Sequence, residues 1–196
     1  GRTAKIIAAA SLYHWNSSAV SETAALYPEM TVREIPIELS GREVNAMLEH
    51  CYEKCLGQAE HIRNIKDIQK KEAFEVLIHG RIPVMQSTQC MKKTTGHCNK
   101  TSEEIWLEDK KGRKLPVTTH CRECYNLIWQ EKPYDLIGED LTGSIPYVTR
   151  HRFDLFHMSE KEIKEMKDRY LIWQENHFMC DLQKDDTEHH WNYGIE

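Results

Sequence analysis

Lys5-Ile-Ile-Ala-Ala-Ala-Ser-Leu12 is a short, nearly continuous apolar run, the kind that a parallel sheet buries on both faces. Thr31-Val-Arg-Glu-Ile-Pro-Ile-Glu38 and Ala73-Phe-Glu-Val-Leu-Ile-His79 read as two further strands, the first weakened by Pro36. Helices alternate with them. One is expected around 17–27, and a second starts at Ser40, where Glu43 three positions on completes a capping box. Val44, Met47, Leu48 and Cys51 of that second helix recur at i, i+3, i+4 and i+7, one apolar face. The charged residues 59–72 read as a polar helix or connector.

Past Met85 the periodicity disappears. Glu104-Ile-Trp-Leu-Glu108, the turn Asp109-Lys-Lys-Gly112 and Arg113-Lys-Leu-Pro-Val117 form an expected β-hairpin. Regular structure resumes with a short helix near 133–140, a strand over 147–156 and a final helix capped by Ser159, whose Ile163, Met166, Tyr170 and Trp173 follow near-helical spacing. The expected organisation is α/β: barrel strands and helices over 1–84, a cysteine-rich insertion over 85–130, the last barrel strand and helix over 131–180, and a charged tail over 181–196.

Repeated strand–helix units with polar residues where the strands end are the pattern of a (β/α) TIM-type barrel, whose active face lies at the C-terminal strand ends. Tyr13, Asn16, Glu38, His79, Arg81 and Asp154 fall there. Glu75 and His79 share one face at period 2, where a histidine acts near neutral pH or simply pairs with the glutamate. Arg81 is suited to a carboxylate or a phosphate, or to a plain salt bridge. Such a barrel has eight strands and about 250 residues, and roughly half of those strands are legible here. The expectation is therefore the C-terminal half of a barrel, its open edge met by an upstream half of the same longer chain or by a second copy.

Cys90, Cys98, Cys121 and Cys124 are spaced C-x7-C-x22-C-x2-C and lie beside charged residues, which suits loops better than core. Soft thiolates select zinc or iron–sulfur clusters. Zinc sites pair two short half-sites, whereas the wide first spacing here fits the broader ligand set of a cluster. Inert core thiols and disulfides are the bland alternatives. Cys51 and Cys55, at i, i+4 on a helix, read as core and neighbour.

Composition bounds the partners. The 196 residues carry a net charge of −5, with 40% hydrophobic and 29% charged residues, and a mean hydropathy of −0.66. No run approaches the roughly 18 apolar residues of a membrane span, and the chain reads as a cytoplasmic piece of something larger. Lys92, Lys93, Lys100, Lys110, Lys111, Arg113 and Lys114, with Trp106 and Tyr125 interleaved, form a possible RNA-gripping combination. Glu103, Glu104, Glu108 and Asp109 oppose it, and a mixed solvated hairpin is the plainer reading.

Phe74-Glu-Val-Leu-Ile-His-Gly-Arg-Ile-Pro-Val-Met85, Lys92-Lys-Thr-Thr-Gly96 among the cysteines, the Leu107-Glu-Asp…Leu-Pro-Val117 hairpin and Cys121-Arg-Glu-Cys-Tyr-Asn126 together resemble the collagenase-like peptidases, peptidase family U-32. Ser11-Leu-Tyr-His-Trp-Asn16, Pro36-Ile-Glu-Leu39 and the tail ending Gly194-Ile-Glu196 are similar to other parts of that family. The resemblance implies a 4Fe–4S cluster on Cys90, Cys98, Cys121 and Cys124 rather than zinc. It also implies either a peptidase, a hydrolase of collagen-like chains, or oxygen-independent hydroxylation in RNA modification (ribosomal or transfer RNA) or of a quinone, in some members with prephenate. No H-E-x-x-H or G-x-S-x-G motif is present, and thiols committed to a cluster make poor nucleophiles. The residues therefore favour the redox side, with a non-catalytic scaffold half as the remaining alternative.

Overall fold

A computed structural model describes residues 6–58, 73–139, 148 and 150–176. The expected connector at 59–72 and the tail from 181 lie outside the described residues. The rest divides into two compact units. The first takes in the described residues up to His79, those within Asp135–Asp154 and those from Ser159; the second is Gly80–Tyr134 with Leu155–Met158.

The first unit is built on β1 (Ile6–Ala8), β2 (Met30–Glu34), β3 (Ala73–Gly80), β8 (Tyr134–Asp135) and β9 (Arg150–Phe153). The order is β1-β2-β3-β8, with β9 also paired to β3. β1 with β2, β2 with β3 and β3 with β9 are all parallel. The α/β class holds, and among the described residues this sheet does not close into a barrel.

β1 is shorter than its apolar run. After Ala8 the chain tightens into a 3₁₀ turn, Ala10–Leu12, because consecutive alanines lack the branched side chains that favour a pleated sheet. The Ala10 amide donates instead to the Glu34 carboxylate at 3.0 Å. β2 stops before Pro36: the Ile35 amide makes a last bond to the Glu75 carbonyl at 2.8 Å, and Pro36 has no N–H to continue the ladder.

α1 (Ser17–Leu26) starts at Asn16, whose side chain accepts from the Ala19 amide. α2 (Gly41–Gln58) opens on the expected capping box: the Glu43 carboxylate accepts from the Ser40 amide at 2.8 Å and Ser40 Oγ accepts from the Glu43 amide. That contact holds the Glu43 carboxyl below its usual range. The predicted face, Val44, Met47, Leu48 and Cys51, is buried, and Tyr52 meets Phe74 of β3 edge to face.

The short helix expected near 133–140 does not form over 133–139. Tyr134–Asp135 is a strand, and the Asp135 carboxylate accepts from the Ile137 amide at 2.9 Å. Gly138 follows with φ of 108°. A side chain bonded two residues on and a left-handed glycine specify a turn, and they override the helix. The expected strand over 147–156 is described as Arg150–Phe153.

The last helix, α4 (Glu160–Asn176), has its own capping box between Ser159 and Glu162. It buries Met166 and Trp173, and packs Tyr170 and Trp173 on His151, with Tyr170 also against Phe153.

The second unit is a four-stranded antiparallel sheet in the order β4-β7-β6-β5, built from β4 (Pro83–Ser87), β5 (Glu104–Glu108), β6 (Lys114–His120) and β7 (Tyr125–Trp129). The expected hairpin is β5–β6, with Glu104 opposite Thr118 and Glu108 opposite Lys114. Asp109 makes its turn, accepting from the Lys111 and Arg113 amides and pairing with the Arg113 guanidinium at 2.7 Å. Leu155–Met158 completes the unit: His157 bonds Glu104 at 2.7 Å and Thr118 at 3.2 Å, and Trp129 packs on Phe156.

Candidate metal centre

Cys121-Arg-Glu-Cys124 is the whole turn of the β6–β7 hairpin, because His120 and Tyr125 are already paired across the two strands. Cys124 takes φ of 57°, the left-handed residue that closes so short a loop. The His120 and Tyr125 rings stack at 4.3 Å and 8° at its neck. The turn therefore presents Cys121 and Cys124 from the end of a stiff ribbon.

Cys90 comes from the other side of β7. β4 runs antiparallel to β7 with Ser87 opposite Asn126, and Cys90 then caps the one-turn helix α3 (Met91–Thr94), its Sγ accepting from the Lys93 amide at 3.4 Å. Asn126 is buried and donates to the Gln89 carbonyl at 2.8 Å and to the Ser87 carbonyl at 3.4 Å. A strand residue next but one to Cys124 thus holds the chain that leads into Cys90.

Cys98 lies on the arm that returns from α3 to β5. The arm is fastened at its far end. The Cys121 amide donates to Ser102 Oγ at 3.0 Å, the Cys121 thiol to the Thr101 carbonyl at 3.0 Å, and buried Thr119 exchanges two side-chain bonds with the Glu103 main chain. The three segments surround a cavity of about 510 Å³, lined by all four cysteines together with Lys93, Lys100, His120, Arg122 and Tyr125 among others. All four thiols are free of disulfides.

The donor set fits a soft metal group. Four thiols on one cavity supply the ligands of a tetrahedral ion or a cubane. A main-chain N–H on Cys90 Sγ is the kind of contact that tunes such sulfurs, and the surrounding cations oppose the negative charge of four thiolates. Among the described residues, no three His, Cys, Asp or Glu side chains are gathered tightly enough to grip one ion as they stand.

Lys92, read from sequence as one cation of a mixed solvated face, is only 4% exposed. Its ammonium bonds Asn99 Oδ1, the Thr101 carbonyl and the Glu103 carboxylate. Burial pulls its pKa down, but Glu103, with Cys121 and Cys98 behind it, prevails and raises it. Tyr125 is likewise engaged with His120, while Trp106 remains 56% exposed.

The residues expected at the strand ends part company. His79 lies near the C-terminal end of β3 and Glu38 follows β2, but His79 is buried and Glu38 half-buried in the turn before α2. His79 lies 3.3 Å from Asp135, not against Glu75, and Arg169 holds the same Asp135 oxygen at 2.9 Å. Burial disfavours the charged Asp135, yet its contact with His79, the Ile137 amide and the Arg169 guanidinium keep its pKa low. Glu75 is half-buried in mid-strand, opposite Arg150. Arg81 belongs to the second unit, where its Nη1 donates to the Gln130 carbonyl at 2.9 Å and to that of Glu131. Asn16 is a helix cap and Tyr13 is exposed.

Sequence reading missed Asp135 and Arg169, which lie 56 and 90 positions from His79, and it missed the scaffolding of Lys92, Thr119 and Asn126. A comparison with protein families, curated proteins and solved structures finds no match to this chain. Among the described residues, no helix is long and apolar enough to cross a membrane.

Proposed function

We propose that this chain is an iron–sulfur protein whose Cys90, Cys98, Cys121 and Cys124 hold a 4Fe–4S cluster, and that the cluster serves oxygen-independent hydroxylation of RNA or a quinone. The observation that carries the metal-binding part is that four free thiols from three separate segments line one cavity. The wide C-x7-C and x22 spacings favour the broader ligand set of a cluster over one zinc ion, which is usually held by two short half-sites. The hydroxylation part rests on the resemblance to the collagenase-like peptidases. When bound, the cluster would supply one-electron redox chemistry. The protein's share is to hold the thiols, neutralise their charge with Lys93, Lys100 and Arg122, and fix the Cys121–Cys124 turn.

Zinc is the second reading, favoured by that same turn: a hairpin CxxC with a left-handed second cysteine is a complete half-site. The test is an anaerobic preparation assayed for iron, sulfide and zinc. Brown protein with a broad thiolate-to-iron band, lost in each of the four Cys→Ala variants and kept in Cys51→Ala, is the expected result. Colourless protein with one zinc, after anaerobic reconstitution, would establish the second reading instead. Loss of a 16-dalton hydroxylation from RNA or a quinone in cells lacking the protein tests the reaction. Cleavage of gelatin that is abolished in the cysteine variants would favour the peptidase alternative.

The parallel order of the first unit also supports the half-barrel reading, in which β1 receives a further strand from an upstream half of a longer chain or from a second copy. Ile6 and Ile7 of that outer strand are 41% and 47% exposed, although neighbouring strand residues point to opposite faces. Among the described residues β1 pairs with β2 alone, and although Ala8 is buried, its two isoleucines leave part of each face exposed.

A further inference from the structure

We propose that Lys92 is a positioning residue for the thiol-lined cavity, tying the helix of Cys90 to the arm of Cys98 and setting a fixed positive charge beside the metal group. This inference rests on the metal-binding reading above.

An ammonium has three donors and no acceptor. All three donors of Lys92 are used, on Asn99 Oδ1, on the Thr101 carbonyl at 2.8 Å and on Glu103 Oε1 at 2.5 Å. Each acceptor leads to the site. Asn99 adjoins Cys98, Thr101 adjoins Ser102, whose Oγ accepts from the Cys121 amide at 3.0 Å, and Glu103 is the residue clamped by Thr119. Lys92 itself is two residues from Cys90. One buried side chain therefore joins the segments of three of the four thiols.

A lysine that merely filled space would be satisfied by the Glu103 carboxylate alone. Here the partners are unequal in burial: the Lys92 side chain is 4% exposed and that of Glu103 43%. Water screens the carboxylate more than the ammonium, so the pair leaves a net positive field toward the cavity. That imbalance makes the sign of the effect testable. Removing Lys92 and removing the charge of Glu103 should act in opposite directions on a metal–thiolate group, whereas a purely structural contact would weaken the site in both cases.

The experiment uses the full chain, prepared anaerobically as parent, Lys92→Met and Glu103→Gln, with Co²⁺ as a single-ion probe and iron plus sulfide for reconstitution. Lys92→Met is expected to bind Co²⁺ about 10–100-fold more weakly and to move the midpoint potential of the reconstituted group to more negative values. Glu103→Gln, whose amide oxygen still accepts from Lys92, is expected to bind Co²⁺ at least as tightly as the parent and to shift the potential the other way. Variants that move together, or a Lys92→Met protein within about twofold of the parent, overturn the proposal. Should Lys92→Met fail to fold by circular dichroism, the Glu103→Gln shift decides alone, and no shift or a negative one overturns it. A parent chain that takes up neither probe overturns the metal-binding reading itself, a result distinct from indifferent variants of a metal-binding parent.

Discussion

Replacing Thr119 by valine tests whether the cysteine arm is held by hydrogen bonds in the way the structure shows. Thr119 is 1% exposed on β6. Its hydroxyl accepts from the Glu103 amide at 2.8 Å and donates to the Glu103 carbonyl at 2.9 Å. Valine keeps the shape and removes both bonds. The Glu103 carbonyl still receives the Thr119 main-chain amide at 2.9 Å, so only the Glu103 N–H is orphaned. Two net hydrogen bonds amount to about 2 kcal/mol, and an orphaned amide that water reaches adds little. Burial of the new methyl offsets part of the loss. The expected destabilisation is about 1–2 kcal/mol, or about 4–8 °C in Tm per kcal/mol for a unit of this size.

Urea denaturation with hydrogen exchange of the 101–107 segment is the assay. Exchange there should accelerate before the rest of the second unit opens. Thr95→Val is the control: Thr95 is exposed and its hydroxyl bonds only carbonyls within its own helix turn, so the change should stay within about 0.5 kcal/mol. A Thr119→Val protein that matches the parent within about 0.3 kcal/mol, with unaltered exchange at 101–107, would refute the clamp.

Acid should weaken the first unit. Burial lowers the pKa of His151, and burial and then Arg33 lower that of His14. For groups depressed on folding, the stabilisation is complete above their ordinary value near 6.5 and is lost as pH falls through the folded pKa. Tm should therefore decline from pH 7.5 toward 5, and His151→Gln should flatten part of that decline; an unchanged slope would count against it. At the β1 edge of the sheet, which has no second partner strand among the described residues, self-association is predicted. Light scattering should show concentration-dependent dimers that Ile7→Lys suppresses, and a strictly monomeric parent chain would remove the support for strand addition.

The α/β class and several elements were legible where local and global signals agreed, while β4 and β7 of the second sheet were not read from the sequence. Ser40 with Glu43, and Ser159 with Glu162, are capping boxes in the sequence and in space. The i, i+3, i+4, i+7 face of α2 is the buried one, and the Asp109–Gly112 turn closes the hairpin where Asp and Gly place it. The misses have physical causes. A run of alanines looked like strand because it is apolar, but it lacks the side-chain mass that holds a pleat. Residues 133–139 looked helical until the Asp135 side chain and Gly138 were seen to form a turn. Strand periodicity offered Glu75, four positions away, as one candidate partner for His79. The structure supplies Asp135 across the sheet, a pairing that no local pattern contains.

The cysteines were legible, and what holds them was not. The buried apolar side chains of the second unit are few: Val117, Ile128, Trp129 and Tyr134 among the described residues. Beside them, Lys92, Thr119 and Asn126 are equally buried, and each fastens a segment that carries a thiol. One of the three left a trace, since Asn126 interrupts the apolar strand Tyr125-Asn-Leu-Ile-Trp129, and a polar residue inside a strand needs partners. Lys92 left none, because next to Lys93 it reads as half of a solvated pair. A lobe fastened this way depends on directional bonds rather than on a large core, so its thiol-bearing arms are the part whose order a bound metal group would add to. Metal affinity there would be in part folding free energy. On this reading, substitutions at Lys92, Thr119 and Asn126 act on the same quantity as substitutions at the thiols, through the order of the arms that carry them.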